Sequence, residues 1–131
     1  MENRRIKLIS TCILAALFMS GCVNHEIIPA ERLDAEKFME VLKDSSVILI
    51  DVRTAEEHED GCIPGTDYLI DVLEDSFSEL CDKTLPDSST VAIYCRSGKR
   101  SQKAAQILSS KGHKVYELES GYNGWKESQS N

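Results

Sequence analysis

Two short, uninterrupted apolar runs constrain the fold more than any other feature of this sequence. The first, residues 47–50, ends at Asp51, and the second, residues 91–94 of a predicted strand over 90–94, ends at Cys95. Strands without polar alternation are buried on both faces, which is typical of a parallel sheet covered by helices. Helix-like segments alternate with the strands, so the sequence predicts an α/β sandwich with a parallel sheet. Ligands in such folds bind beyond the carboxyl ends of strands, where Asp51 and Cys95 lie.

The remaining elements follow from amphipathic spacing and from turn residues. Apolar residues recur at helical intervals from Ala35 to Leu42, and Asp34 is the predicted N-cap of that helix. Residues 23–29 are expected to be a tether and an entry strand. Further helices are predicted at 55–59, 76–81, 101–111 and 122–127, further strands at 68–70 and 115–118, and a loop at 86–89.

Cys95 opens a loop that suits a nucleophilic thiolate. The strand delivers the thiol to the sheet edge, and Arg96, Lys99 and Arg100 add positive charge within the next five positions. The N–H groups of the turn and the N-terminus of the following helix favour an anion there, and Gly98 permits a tight turn. Because the thiolate is the reactive form of cysteine, the loop predicts catalysis or anion binding rather than a plain surface turn.

The charge balance argues against a nucleic-acid partner. The chain has a formal net charge of −7, with 15 basic and 22 acidic residues. Residues 1–21 contain three of the basic residues and one of the acidic ones, so the remainder carries 12 basic and 21 acidic side chains. Nucleic-acid binding needs a basic face, which an acidic body of this kind does not supply.

The first 21 residues have the pattern of a targeting segment. Basic residues at positions 4, 5 and 7 precede a mostly apolar run over residues 8–19, which is too short for an ordinary membrane-spanning helix. Ser20-Gly21-Cys22 then resembles the end of a bacterial lipoprotein signal, although Met19 stands where Leu is usual. The resemblance implies cleavage before Cys22, lipidation of Cys22, a tether over 22–26 and an extracytoplasmic place in the cell envelope. The alternative is a plain cleaved signal or a short uncleaved anchor.

The cysteines divide into those of the leader and those of the folded body. Cys62, Cys81 and Cys95 belong to the body, and an odd number of thiols in an exported protein implies at least one free thiol or an intermolecular pair. No C-x-x-C spacing occurs in the sequence. We therefore expect no metal site and no cofactor.

Several motifs, in order along the chain, resemble those of the rhodanese-like family of single-domain sulfurtransferases. They are Asp51-Val52-Arg53 with Glu56-Glu57, Gly61-Cys62-Ile63-Pro64-Gly65, Tyr94-Cys95-Arg96-Ser97-Gly98-Lys99-Arg100-Ser101, and Gly121-Tyr122 with Trp125. The chain departs from the family pattern at His58, Cys62, Thr66 and Ser120. The resemblance implies a three-layer α/β/α domain over residues 27–128, with a five-stranded parallel sheet.

The resemblance also implies a reaction. The Cys95 thiolate attacks the outer sulfur of a small anionic donor such as thiosulfate, and the resulting persulfide passes its sulfur to cyanide or a thiol. Cys95 is the expected nucleophile and Arg100 the residue that orients the anion. The other loop residues expected to contact the donor are Arg96, Ser97, Gly98, Lys99 and Ser101.

Structural roles are expected for Asp51, Arg53 and Glu57. Asp51 lies beside the loop, where it can fix loop N–H groups, and Arg53 is expected to pair with Glu56 or Glu57. Cys62 replaces a family His on a turn near the active-site edge. Its thiol is expected either to pack or to form a regulatory disulfide with Cys95.

No catalytic histidine is predicted, and two other functions are alternatives to sulfur transfer. His58 and His113 lack a partner motif and are expected at the surface. Cysteine phosphatases and arsenate reductases use related loops, but the phosphatases place one residue more between Cys and Arg than the four that separate Cys95 from Arg100. The shorter loop suits sulfur better than a phosphoryl group. A non-catalytic or thiol-redox relay module also fits a loop that contains a cysteine.

Overall fold

A computed structural model describes residues 27–131, which form a five-stranded parallel sheet with helices on both faces. The sheet order is β1-β5-β4-β2-β3, and every neighbouring pair is parallel. The elements in chain order are β1 (Glu31–Leu33), α1 (Ala35–Val41), β2 (Ile48–Asp51), α2 (Ala55–Glu59), β3 (Tyr68–Leu69), α3 (Phe77–Thr84), β4 (Thr90–Tyr94), α4 (Arg100–Ser110), β5 (Lys114–Leu118) and α5 (Gly121–Gln129). The predicted α/β class and the five parallel strands are confirmed.

The two apolar runs lie side by side at the centre of the sheet. β2 pairs with β4 so that Ile50 lies opposite Ile93 and Asp51 opposite Tyr94. All four residues are fully buried. The register brings the carboxyl ends of both strands to the same edge, where the chain continues into the loop that begins at Cys95.

Alternation along the strands divides the core into two layers. One layer, which includes Ile50 and Ile93, packs with residues of α3 and α4 such as Phe77 and Leu108. The other layer contains Leu49, Ala92 and Tyr94 together with Phe38 of α1, and Tyr122 and Trp125 of α5 pack against it. β2 and β4 are therefore apolar along most of their length, because each face meets its own helices.

The edge strands are where the structure departs from the sequence prediction. β1 lies at Glu31–Leu33, after the predicted entry strand over 23–29, and residues 27–29 are not in a strand. Only Leu33 of β1 is buried, because this strand pairs on one side only, with β5. β3 contains Tyr68 and Leu69, both exposed, and does not include Ile70. Short edge strands of this kind carry too few buried residues to give a periodic signal.

Side-chain capping marks the starts of α1 and α2. Asp34 accepts a hydrogen bond from the Lys37 amide, as predicted for the N-cap of α1. Thr54 and Glu57 form a capping box at the start of α2. α3 and α5 extend further than the predicted segments, to Thr84 and Gln129.

The leader falls outside the part of the chain that the structure describes. The predicted signal segment over 1–21 and the tether over 22–26 therefore stay predictions. Within residues 27–131, the structure contains no helix that is both long and apolar enough to cross a membrane.

Candidate active site

The loop of residues 95–99, between β4 and α4, surrounds the Cys95 thiol with backbone. Cys95 is 1% exposed, and the Gly98 amide donates a hydrogen bond to its Sγ over 3.2 Å. Gly98 has a φ of 83°, and a Cβ there would lie 1.9 Å from the Glu119 carbonyl oxygen. The start of α5 holds the loop from outside, since the Tyr122 amide donates to the Cys95 carbonyl over 2.8 Å. The tight turn predicted at Gly98 is therefore present.

The surroundings of Sγ favour the thiolate over the thiol. Burial by itself raises the pKa of Cys95, but the hydrogen bonds to Sγ outweigh it and lower that pKa below the ordinary cysteine value. The Ser101 hydroxyl is the largest of these contributions, followed by the backbone amides of Ser101, Ser97 and Gly98. A depressed pKa increases the fraction of cysteine present in its nucleophilic form.

Arg100, the predicted anion-orienting residue, is held by Glu57. Its two terminal nitrogens donate to the two carboxylate oxygens of Glu57 over 2.7 and 2.6 Å, and each side chain is 25% exposed. The hydrogen bonds from Arg100 lower the pKa of Glu57 to about 2, and Glu57 in turn raises the pKa of Arg100. Glu57 thus links α2 to the first residue of α4. Arg96 and Lys99, by contrast, are exposed.

The predicted partner of Arg53 is wrong. Arg53 is buried and pairs with Asp51, with Nη2 donating over 2.7 Å, instead of with Glu56 or Glu57. Glu57 is already engaged by Arg100 and by the capping box, which explains the choice. The Arg53 guanidinium also donates to the Gly61 carbonyl over 2.7 Å.

Asp51 and the histidines also differ from their predicted roles. The Asp51 carboxylate bonds to Arg53 and to His58 Nδ1, at 2.9 Å, rather than to N–H groups of the 95–99 loop. His58 is partly buried by this contact. His113 is buried beside the Ser89 hydroxyl, with its Nδ1 3.0 Å from Oγ, so its expected surface position is wrong.

Sequence reasoning missed two charged residues behind the loop. Ser101, predicted to contact the donor, is fully buried and donates to the Glu117 carboxylate over 2.6 Å. Glu117 is itself buried and pairs with Arg32 of β1 at 2.9 Å. The available signal was a glutamate within the otherwise largely apolar strand β5, because an acidic residue is rarely buried without a partner.

The other two thiols of the described residues are free and differ in environment. Cys62 is half-buried in the turn after α2, next to the Gly61 carbonyl that Arg53 binds. Cys81 is buried on α3, and burial raises its pKa to about 11. A thiol with so high a pKa is almost entirely protonated at neutral pH, so Cys81 is a core residue. The redox role of Cys62 stays a prediction.

A cavity of about 330 Å³ lies beside the loop. It brings together side chains from the loop, from α2 and from α5, and both charge signs are present. Its lining residues are Arg53, Glu57, Asp60, Arg96, Tyr122, Asn123 and Lys126. Within residues 27–131, no three His, Cys, Asp or Glu side chains cluster in a way that could hold a metal ion.

Comparison with known proteins agrees with this geometry. The profile of the rhodanese-like domain matches residues 34–128. The thiosulfate sulfurtransferase GlpE of Coxiella burnetii is 34% identical over 88 residues, which cover 66% of this chain and 78% of GlpE. A sulfurtransferase of Allochromatium vinosum is 34% identical over 97 residues, covering 72% of this chain and 86% of that protein.

Solved structures give the same result. A rhodanese-related protein from Thermoplasma volcanium superposes with a TM-score of 0.64 at 26% identity, covering 75% of this chain and 92% of that structure. A rhodanese-like domain protein from Staphylococcus aureus superposes with a TM-score of 0.62 at 27% identity, covering 72% and 90%.

The fold and the loop define an α/β domain with a buried thiol at the carboxyl edge of a parallel sheet. The chain belongs to the rhodanese-like domain family. Its relatives support a general sulfurtransferase role for it.

Proposed function

We propose that this protein transfers a sulfane sulfur from an anionic donor such as thiosulfate, through a persulfide on Cys95. The proposal depends above all on one observation: Sγ lies in a loop whose amides and Ser101 hydroxyl lower the pKa of Cys95 despite its burial. The thiolate attacks the outer sulfur of the donor, and the bond between the two donor sulfurs breaks with its electron pair leaving on sulfite. The persulfide then gives its terminal sulfur to cyanide or a thiolate, which regenerates the Cys95 thiolate.

Arg100 has two functions in this proposal. Its guanidinium is held rigidly by Glu57, and it interacts electrostatically with Cys95. It therefore supplies a fixed positive charge that stabilises the thiolate and orients the incoming dianion. Arg96 and Lys99 are exposed beside the same loop and attract the donor at longer range. Ser97, Gly98 and Ser101 supply the amides that stabilise charge on the bound sulfur.

Intact mass measurement after incubation with thiosulfate tests the proposal. Wild type is expected to gain one sulfur atom, and a second incubation with cyanide is expected to remove it with release of thiocyanate. Cys95→Ser is expected to gain none, whereas Cys62→Ser and Cys81→Ser load like wild type. Loading that survives Cys95→Ser would contradict the assignment of the nucleophile. Absence of loading in wild type, with a disulfide at Cys95 instead, would favour a thiol-redox relay.

We also propose that the domain works at a membrane surface outside the cytoplasm, anchored through lipid on Cys22. Support comes from the basic start, the short apolar run and Ser20-Gly21-Cys22, all of which lie in the part of the sequence before residue 27. Each buried acyl CH₂ contributes about 0.8 kcal/mol to membrane binding, so two or more chains would hold the protein stably.

A further inference from the structure

A buried series of hydrogen bonds connects the Cys95 thiol with Ser101 and Glu117. Sγ donates to Ser101 Oγ over 3.4 Å, and Oγ donates to Glu117 Oε1 over 2.6 Å. None of the three side chains is more than 1% exposed. Arg32 Nε donates to the second oxygen of Glu117 over 2.9 Å. This series of hydrogen bonds thus connects the end of β4 with α4, β5 and β1.

The Ser101 hydroxyl carries one proton and has two neighbours that accept it. When Glu117 is ionised, that proton bonds to the carboxylate, and Ser101 then serves Cys95 only as an acceptor for a protonated thiol. A Cys95 thiolate, however, needs the hydroxyl proton for itself, since this hydrogen bond contributes to the lowered pKa of Cys95. Both sites are satisfied together only if Glu117 takes up a proton and donates it to Ser101 Oγ.

We propose that Glu117 accepts the proton of Cys95 through Ser101, and so is a positioning residue for the nucleophile. In this step the S–H bond of Cys95 breaks and its proton bonds to Ser101 Oγ. At the same time the O–H bond of Ser101 breaks, and that proton bonds to Glu117 Oε1. One negative charge moves from Glu117 to Sγ and no proton leaves the protein. The inference rests on the proposed function, in which the thiolate attacks the donor.

Two arginines interact with the two ends of this series of hydrogen bonds. Arg32, from β1, forms an ion pair with Glu117, whereas Arg100, from α4, favours the Cys95 thiolate. Arg32 Nη2 also donates to the Gly98 carbonyl over 3.1 Å, so the same guanidinium supports the loop that surrounds Sγ. Arg32 and Glu117 line a groove of about 430 Å³ between β1 and α4, which shares no lining residue with the cavity beside the loop. Glu117 therefore lies against a different cavity from the one beside the loop.

Alkylation of Cys95 by iodoacetamide across pH, followed by peptide mass spectrometry on the full chain, tests the proposal. A pair that shares one proton titrates in two macroscopic steps. In wild type, the rate of Cys95 alkylation is therefore expected to change in two steps as the pH rises and to stay constant between them. Glu117→Gln and Ser101→Ala are expected to lose the lower step and to show a single inflection. Glu119 is an exposed acid that directly follows β5. Glu119→Gln is therefore the matched control and is expected to keep both steps.

Infrared difference spectra provide a second measurement, and its wild-type result does not depend on the folding of any variant. Between the two steps, wild type minus its Cys95-alkylated form is expected to contain a protonated-carboxyl band. That band should be missing from Glu117→Gln and from Ser101→Ala. A wild-type spectrum without it, or one step in all four proteins, would overturn the relay. Sulfur loading by thiosulfate, measured on the same samples, distinguishes this failure from failure of the proposed function, because loading does not require the relay.

Discussion

Replacing Glu57 with Gln is expected to destabilise the domain by an amount that depends on pH. The pKa of Glu57 falls from the ordinary value of 4.5 to about 2 in the folded protein, chiefly through hydrogen bonds from Arg100. At 1.36 kcal/mol for each tenfold change in proton affinity, this difference corresponds to about 3 kcal/mol. Gln retains part of the contact with Thr54, and the pair is partly exposed to solvent. We therefore expect the free energy of unfolding at neutral pH to fall by about 1–3 kcal/mol.

The sign of the pH dependence follows from the lowered pKa. A carboxyl whose pKa is depressed on folding contributes its full stabilisation above the unfolded value of 4.5 and loses it as the pH falls toward about 2. The difference between wild type and Glu57→Gln is thus expected to be largest at neutral pH and to shrink at about pH 3. Other acids titrate in the same range, but they are common to both proteins and cancel.

Urea unfolding followed by circular dichroism, at neutral pH and at about pH 3, measures this difference. Glu56→Gln is the matched control, because Glu56 lies in the same first turn of α2 but is exposed. It is expected to change the free energy of unfolding by less than about 0.5 kcal/mol at either pH. If Glu57→Gln lost the same free energy at both pH values, the ion pair would not be the source of its effect.

Three further outcomes are expected. Arg100→Ala should lower kcat/KM with thiosulfate about tenfold more than Lys99→Ala, because a charged hydrogen bond contributes about 1.5–3 kcal/mol; equal losses would contradict the ranking. Gly98→Ala should abolish sulfur loading, since its Cβ would lie 1.9 Å from a backbone oxygen; a mass spectrum with normal loading would refute this. Cys22→Ala should release the protein from membranes or stall its processing in fractionated cells, and wild type in the cytosol with residues 1–21 intact would end the anchor proposal.

The central strands and the cysteine loop could be predicted because their signals are local. β2 is apolar up to Asp51 and β4 is apolar after Thr90, and the cysteine, Gly98 and the nearby cations lie within six consecutive positions. β1 escaped detection because its sequence, Glu-Arg-Leu, has one buried residue, and it becomes a strand only by pairing with β5, more than 80 residues away. Tertiary register, rather than local pattern, determines that element.

The ion pairs of the site could not be predicted for a related reason. The sequence offers several possible ion-pair partners for each of the charged residues Arg53, Glu57 and Arg100. Which of them pair depends on the position of α2 relative to the start of α4, because Glu57 and Arg100 are 43 residues apart. Once Glu57 binds Arg100, Asp51 is left as the partner of Arg53.

These pairings reduce the unpaired negative charge beside the Cys95 loop in an otherwise acidic chain. The two carboxylates that flank the Cys95 loop, Glu57 and Glu117, each bind an arginine, so neither contributes a full unpaired charge near Sγ. The exposed loop cations, Arg96 and Lys99, then add positive charge at the surface. A net charge of −7 for the whole chain is thus compatible with attraction of a dianion, because screening limits the remaining surface acids to a range of about 8–10 Å in physiological salt.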